Sequence, residues 1–284
     1  MGALGAAFGE WLRGLPLYAG IAAAVWIPYQ AVELLLALVL GVASAGATVQ
    51  AAGVAAAADR PFDEAGAVAA AGRLLLLGAV TLVLALVASA LSQAAVALAV
   101  EGRLRGAAPA VGDALRAGWA RTGAVLGATF LMALVGLAAV VVVLVVGLPL
   151  TFALGLVHLA PVGTGLTALG LIGGPVVLIS AFAVAPQVAA IEGLGPVASV
   201  RRGRRLIGGQ WPVALLLIVV LGAVAWLGSA LLTGLLQAAV GGRTGTLSVV
   251  VGGGAAALAA VVLGPLPQVG LTLLYDRLRT RERP

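Results

Sequence analysis

Charge is scarce in this sequence, and cysteine and lysine are absent from it. Only 9% of the 284 residues are charged, 62% are hydrophobic, and the mean hydropathy is +1.18. Soluble domains carry roughly 25% charged residues because a folded surface has to be hydrated. A chain with so little charge cannot cover a water-facing surface, so lipid must surround most of it. The composition therefore predicts an integral membrane protein.

Several kinds of catalytic site are not expected. Without cysteine there are no disulfide bonds and no thiolate metal sites. The one histidine, His158, has no carboxylate near it in the sequence to share a metal ion. Segment 241–248 (GGRTGTLS) lacks the lysine of a phosphate-binding loop, and no acid–base partner completes a serine triad. We therefore expect no cofactor and no enzymatic activity.

Six apolar runs are long enough to cross a bilayer as helices, which takes about 20 residues each. Helices are expected because the runs lack the alternating pattern of a membrane barrel. Together they predict an all-α polytopic bundle that forms a single integral membrane domain over residues 1–284. The runs cover about 16–44, 72–100, 122–149, 164–191, 211–238 and 246–275.

The stretch 149–163 (LPLTFALGLVHLAPV) separates the third run from the fourth. It is apolar, but Pro149 and Pro161 bracket it, so we expect a re-entrant or interfacial connector. The alternative is that it spans the membrane. The number of spans would then be seven, and the two termini would not share a side.

Arginine is distributed unevenly between the connections. The N-terminus, the segments 101–121 and 192–210 and the C-terminal tail hold thirteen of the sixteen arginines. Cytoplasmic loops are enriched in positive charge, so we predict that both termini are cytoplasmic. Basic residues that are all arginine, together with abundant Ala, Gly and Val, are typical of a GC-rich bacterial genome. We therefore place the chain in a bacterial inner membrane.

Two arginine-rich segments, 112–123 and 195–211, each precede a span and also contain apolar residues. Such segments can lie in the headgroup layer, with the apolar face toward the lipid tails and the arginines on anionic headgroups. Nucleic acid is the alternative partner, but the chain has no folded basic surface to bind it. The arginines expected to contact headgroups on the cytoplasmic side are Arg116, Arg121, Arg201, Arg202, Arg204 and Arg205.

A threefold pattern runs along the chain. A tryptophan marks the junction between a basic stretch and each odd-numbered span, and an acidic residue ends each even-numbered span, five or eight residues after a glutamine. The glutamine–acid pairs are Gln93–Glu101, Gln187–Glu192 and Gln268–Asp276. This pattern predicts three repeats of an interfacial helix followed by a two-span hairpin. The alternative is that tryptophan and charge only mark the membrane boundaries.

Three stretches resemble a known family: 112–130 (GDALRAGWARTGAVLGATF), 185–211 (APQVAAIEGLGPVASVRRGRRLIGGQW) and 265–283 (PLPQVGLTLLYDRLRTRER). The chain is similar to the glycerophosphoryl diester phosphodiesterase membrane-domain family, a group of polytopic bacterial membrane proteins of largely unknown function. In some members this region is fused to a catalytic phosphodiesterase domain, which this sequence does not contain. The resemblance therefore implies a membrane fold and supplies no catalytic residues.

Glu33 lies well inside the first span and shares a helix face with Trp26, Tyr29 and Gln30. An intramembrane carboxylate is a candidate binding group for a proton or a cation. The alternatives are a protonated Glu33 bonded to Thr81 or Ser229, or a Glu33 that lies near the interface. With the buried glutamines, the candidate intramembrane polar site is Glu33, Gln30, Gln93, Gln187 and Gln268.

Prolines lie near three of these glutamines, as in Pro28–Gln30 and Pro186–Gln187. The glutamines either form a polar ring around a cavity or bond the carbonyls that the prolines free. Two functions follow from these features. The first is a non-enzymatic membrane scaffold or accessory subunit that acts on membrane lipids or on a membrane-protein partner. The alternative is a small transporter or lipid-handling protein with a site between repeats.

Overall fold

The computed structural model describes residues 2–41, 63–156, 159–239 and 246–282, and within these ranges every regular element is a helix. The helices are α1 (Ala3–Val39), α2 (Glu64–Leu104), α3 (Val111–Leu156), α4 (Ala160–Ser180), α5 (Ala185–Glu192), α6 (Pro196–Ile207), α7 (Trp211–Ala239), α8 (Thr246–Val262) and α9 (Pro265–Arg281). A 3₁₀ turn (Gly208–Gln210) joins α6 to α7. The predicted all-α fold is confirmed.

Six segments of the described chain are long and apolar enough to cross a membrane, and each overlaps one predicted span. They are Ala3–Val39, Glu64–Leu104, Val111–Leu154, Pro161–Glu192, Pro196–Ala239 and Val251–Arg281. The chain is therefore a multi-pass helical membrane protein. We call the basic end the end of the bundle that holds the start of α1, the α2–α3 connection, the α5–α6 connection and the end of α9. That this end faces the cytoplasm stays a prediction.

The separate connector predicted at 149–163 is wrong. Helix α3 continues through Pro149 to Leu156, and α4 begins at Ala160, so only residues 157–159 lie between them. The hydroxyl oxygens of Thr151 and Thr167 lie 3.0 Å apart and link the two helices. An apolar stretch remains helical because a helix satisfies its own backbone groups where lipid cannot. The region is the tip of a helical hairpin and adds no seventh span.

Two prolines mark breaks within spans. Pro186 lies in the first turn of α5, and α9 begins at Pro265. Proline is tolerated in a first turn because its missing N–H would have no helical partner there. Pro28, in contrast, lies inside the unbroken helix α1. The fourth and sixth spans are therefore each built from two helices, α4–α5 and α8–α9.

Tight packing is concentrated at the basic end of the bundle. Burial is densest over 88–100 of α2, over 183–190 at and just before the start of α5, and over 265–275 of α9. The helix halves farther from the basic end are mostly exposed, as at Leu75 (75%), Phe152 (73%) and Leu235 (69%). These side chains are apolar, and lipid tails can cover them. The basic end is thus the packed core, and the opposite half offers apolar surface.

Two glycines let helices meet closely at the basic end. A Cβ added to Gly118 of α3 would lie 2.9 Å from the backbone nitrogen of Ala95 in α2. A Cβ added to Gly203 of α6 would lie 3.0 Å from the backbone nitrogen of Ala185 in α5. In both places the end of an even-numbered span packs against the start of the next predicted repeat, and a larger residue would separate the backbones.

The third even-numbered span returns to the first repeat. A Cβ added to Gly270 of α9 would lie 3.6 Å from the Cβ of Ala7 in α1. Because α1 begins the first repeat, the three contacts follow one another in a ring. The threefold repeat itself stays a prediction.

The starts of the three predicted repeats join their spans differently. In α1 and α3 the basic segment continues into the span without a break. Only the third repeat has a separate helix, α6, because Gly208 has a φ of +43° and turns the chain before α7 begins. The basic segment is therefore a separate helix only in the third predicted repeat, and the separate helix predicted for the first two is wrong. That α6 lies in the interface stays a prediction.

Candidate functional site

Glu10 is buried at the basic end and joins α1 to α2. Its carboxylate accepts a hydrogen bond from the Tyr18 hydroxyl at 3.0 Å and one from Nε of Arg103 at 2.7 Å. Side chains in a helix point back toward its N-terminus. Gly14 lies between the two residues, and its lack of a side chain leaves room for the Tyr18 ring to reach back to Glu10.

Glu101 holds a second ion-paired position, close to the end of α2. Its carboxylate pairs with Arg105 on the same helix and with Nη1 of Arg279 in α9 at 3.3 Å. The Arg279 guanidinium also lies 6.0 Å above the Tyr275 ring. Glu101, Arg279 and Asp276 all line a polar hollow of about 260 Å³. These contacts connect the ends of the second and sixth spans.

Glu192 is the third such position and ends α5. It accepts a hydrogen bond from the Tyr275 hydroxyl at 2.8 Å and pairs with Arg202 of α6 at 3.5 Å. Arg202 also pairs with Glu282, just after α9, at 2.7 Å. The cluster therefore joins α5, α6 and the end of α9.

The carboxylates Glu10, Glu101 and Glu192 have structural partners in this arrangement. Each bonds to an arginine or tyrosine on another helix. These contacts hold helices together and leave the carboxylates less available as an acid or base. Removing one partner of a partly buried pair leaves the other charge without compensation, which is costly. Glu10 and both bonded tyrosines are not among the site residues predicted from the sequence. The detectable signal was the spacing of Glu10, Gly14 and Tyr18 along one helix face.

Gln30 and Glu33 lie together in a cleft of about 600 Å³ between α1 and α8. The rest of the lining is mainly apolar and includes Gly252, Gly253 and Ala256 of α8. Glu33 is half-buried and interacts with the Tyr29 hydroxyl. Two members of the predicted face, Gln30 and Glu33, thus line an opening in the half of the bundle away from the basic end, and Tyr29 lies outside this lining.

The two hydroxyls considered as partners for Glu33 bond within their own helices. Thr81 donates to the carbonyl oxygen of Leu77 at 2.8 Å, and Ser229 donates to that of Ala225 at 2.7 Å. Such bonds to the preceding turn are the usual way for a hydroxyl to be satisfied inside a membrane helix. Neither hydroxyl therefore supports the alternative in which it bonds Glu33.

The three other glutamines lie on α2, α5 and α9, and none of them lines the Glu33 cleft. The Gln93 amide donates to Ser89 Oγ at 2.9 Å. Gln187 is 3% exposed, and its amide oxygen and that of Gln268 are buried without a hydrogen-bond partner in the described chain. The predicted polar set is thus divided between two places.

The six arginines predicted to contact headgroups have different surroundings. Arg202 is half-buried in ion pairs. The Arg121 guanidinium packs against Gly193, whose φ of +68° ends α5 and leaves no side chain in the way. Arg116 is 87% exposed and lies 4.0 Å from Asp113. The other three, Arg201, Arg204 and Arg205, are exposed on α6.

Within the described residues, no group of three or more His, Cys, Asp and Glu side chains is placed to hold a metal ion. His158 and segment 241–245 lie outside the described residues. Comparison with known protein families, curated proteins and solved structures finds no match to this chain. The resemblance to the glycerophosphoryl diester phosphodiesterase membrane-domain family therefore stays a prediction.

Proposed function

We propose that this chain is a non-enzymatic membrane scaffold or accessory subunit that receives a partner helix along α2. The observation that carries this proposal is the lack of packing on α2 away from the basic end. Over residues 64–87 only Ala70 is buried. At 1.5 Å per residue the stretch is about 35 Å long, enough to cross most of a bilayer.

The surface of this stretch suits a second membrane helix. Leu75, Leu82 and Val83 are at least 60% exposed, and a Cβ added to Gly72 or Gly78 would meet nothing within 4 Å. Helices associate in lipid through close packing, and glycine lets the backbones approach. A bound partner would give α2 the neighbours that it lacks among the described residues.

The ion-paired basic end supports the same role. Because Glu10, Glu101 and Glu192 are engaged in contacts between helices, the basic end acts as a rigid frame from which the halves of the helices extend. Such a frame suits a protein that holds other membrane proteins in place. Because these three carboxylates are paired, they are poorly suited to act as catalytic acids or bases.

Photo-crosslinking in native membranes tests the accessory role. A photoreactive residue at Leu75 or Leu82 is expected to yield one discrete protein adduct, from another protein or from a second copy of this chain. Val145 of α3, which is 66% exposed, is the matched control and is expected to yield only lipid adducts. Lipid adducts alone from both α2 positions would show that α2 has no protein partner, and the proposal would be abandoned.

A second function is favoured by the cleft at Gln30 and Glu33. A cleft of about 600 Å³ is within the ~300–1,000 Å³ range of small-molecule sites. Its half-buried carboxylate is the type of group that binds protons or cations inside membranes. These features support a small transporter or lipid-handling protein that uses Glu33.

A cysteine probe distinguishes the two functions, since the natural chain has no cysteine. Ala256 lines the cleft, and Leu35 is exposed on α1 outside it. Transport requires water in the cleft, so Ala256→Cys would react with a membrane-impermeant maleimide while Leu35→Cys would not, and Glu33→Gln would change that reaction rate. If neither cysteine reacts, the cleft is filled by lipid or protein and the transporter reading is wrong.

A further inference from the structure

A groove of about 490 Å³ opens at the basic end between α3 and α6. Its α3 wall is entirely apolar and consists of Leu131, Leu134, Val135 and Ala138. From Leu131 to Ala138 this wall extends about 10 Å along the helix, at 1.5 Å per residue. The groove therefore runs from the region of α6 along the apolar body of a membrane span.

Helix α6 lines the other side with one stripe of residues. Val197, Val200, Arg201 and Arg204 face the groove at the spacing of three and four residues that defines one helix face. Phe182, between α4 and α5, completes the lining, and the Arg204 guanidinium lies 5.9 Å from the centre of its ring. This contact holds Arg204 over the groove while leaving its N–H groups free to donate outward.

The charge at the groove is uncompensated. Within the described part of the chain neither Arg201 nor Arg204 forms an ion pair, and no acidic residue lines the groove. Arg202, between them in sequence, points elsewhere and pairs with Glu192 and Glu282. The fold thus satisfies one arginine of this helix internally and leaves two guanidinium groups together beside an apolar wall.

We propose that this groove is a specific site for one anionic phospholipid. The phosphate lies on Arg201 and Arg204, and one acyl chain lies against α3. Guanidinium groups bind phosphate through paired, charge-assisted hydrogen bonds. An acyl chain is the ligand part that an apolar wall inside a membrane can accept. A lipid joins both chemistries in one molecule, whereas a free phosphate would leave the wall without a ligand.

Arginines on an interfacial helix also attract anionic lipid without any specific site. Arg205 separates the two cases because it is exposed on the same helix and does not line the groove. A general attraction depends on the number of charges, so Arg205 would contribute as much to lipid affinity as Arg201 or Arg204. Binding at a specific site depends on where each charge lies, so Arg205 would contribute little to the affinity.

The experiment titrates the purified full-length chain in mild detergent with phosphatidylglycerol and counts bound lipid by native mass spectrometry. R201Q/R204Q is expected to lower the affinity at least about tenfold, since each arginine loses a charge-assisted contact. R205Q is expected to change it less than about twofold, and phosphatidylcholine with the same chains should bind weakly to all variants. Equal losses in R205Q and in either single variant, R201Q or R204Q, would overturn the site.

A second pair of variants tests the acyl part and leaves every charge in place. Ala138→Trp fills the groove and is expected to weaken phosphatidylglycerol binding, while Ala168→Trp, on an exposed position of α4 outside the groove, should not. Soluble glycerol phosphate should not displace the lipid, because it has no chain to bury. Displacement at matched concentration, or an unaffected Ala138→Trp, would show an anion site without a lipid groove.

The lipid site requires a membrane-embedded chain and is independent of the accessory role. Loss of lipid in R201Q/R204Q predicts nothing about cross-linking at α2, because α2 does not line the groove. The two proposals can therefore fail separately. Unchanged helical circular dichroism and unchanged elution from a sizing column check that each variant is folded.

Discussion

Each of the three tyrosines in this chain lies beside a glutamate. The pairs are Tyr18–Glu10, Tyr275–Glu192 and Tyr29–Glu33. A hydroxyl away from water needs an acceptor, and a carboxylate away from water needs donors, so the pairing satisfies both groups. Two of the pairs lie in the packed basic end and also contact arginines. The third lies beside the cleft between α1 and α8, which Glu33 lines.

Glycine has opposite effects at two positions of α3. A Cβ at Gly118 would lie within 3.0 Å of the Ala95 backbone, so Gly118→Ala is expected to destabilise the protein by about 1–3 kcal/mol. Gly123 has nothing within 4 Å of a Cβ. There Gly123→Ala is expected to stabilise by up to about 1 kcal/mol, because alanine favours a helix.

Thermal unfolding of both variants in the same detergent provides the measurement. The melting temperature should fall for Gly118→Ala and rise or stay constant for Gly123→Ala. A rise for Gly118→Ala would mean that α2 and α3 do not approach closely there. The ring of contacts between predicted repeats would then lose one of its three members.

At the scale of elements, the turn between α6 and α7 distinguishes the third repeat from the others. It places α6 as a helix of its own, with Val200 and Arg204 toward the groove and Leu206 and Ile207 buried against the core. In α1 and α3 the equivalent segments continue into the span and leave no comparable turn. The lipid site is therefore a property of one repeat.

The backbone at Gly208 is expected to require glycine. Its φ of +43° and ψ of −122° lie in a region that residues with a side chain rarely adopt. Gly208→Ala should therefore cost about 1–3 kcal/mol. Gly209 is the matched control, because a Cβ at either position would meet nothing within 4 Å and only Gly208 has a positive φ.

The free energy of unfolding of the two variants, measured by denaturant titration in detergent, separates backbone strain from crowding. Gly208→Ala should also weaken phosphatidylglycerol binding if the turn orients α6. Equal stability of Gly208→Ala and Gly209→Ala would mean that the chain turns by another conformation.

At the scale of the whole molecule, the predicted orientation places the basic end in the cytoplasm. Single cysteines test it without background, since the natural chain has none. Ala107, in the α2–α3 connection, and Ala65, at the opposite end of α2, are both exposed. In intact cells a membrane-impermeant maleimide should label Ala65→Cys, and it should label Ala107→Cys only after lysis. The reverse pattern would invert the topology.

Much of the fold follows from local sequence properties. Span length and apolarity predicted six helical spans, and Pro186 and Pro265 lie where their spans break. The connector at 149–163 was mispredicted because proline was read as a helix end. Pro149 is instead accommodated within α3, which continues to Leu156 and packs against α4 through Thr151 and Thr167. Proline position alone cannot reveal that packing.

By itself the sequence determined that this is a multi-pass helical membrane protein and which connections carry the arginines, because composition and run length decide these properties. The tertiary structure decided that 149–163 adds no seventh span. Only the tertiary structure decided which charges are used internally. Glu10 pairs with an arginine 93 residues away, and Glu101 with one 178 residues away. Arg201 and Arg202 are adjacent, yet one borders the groove and the other is ion-paired. Adjacent residues on a helix point in different directions. Only the packing of the other helices decides which of the two meets an ion-pair partner.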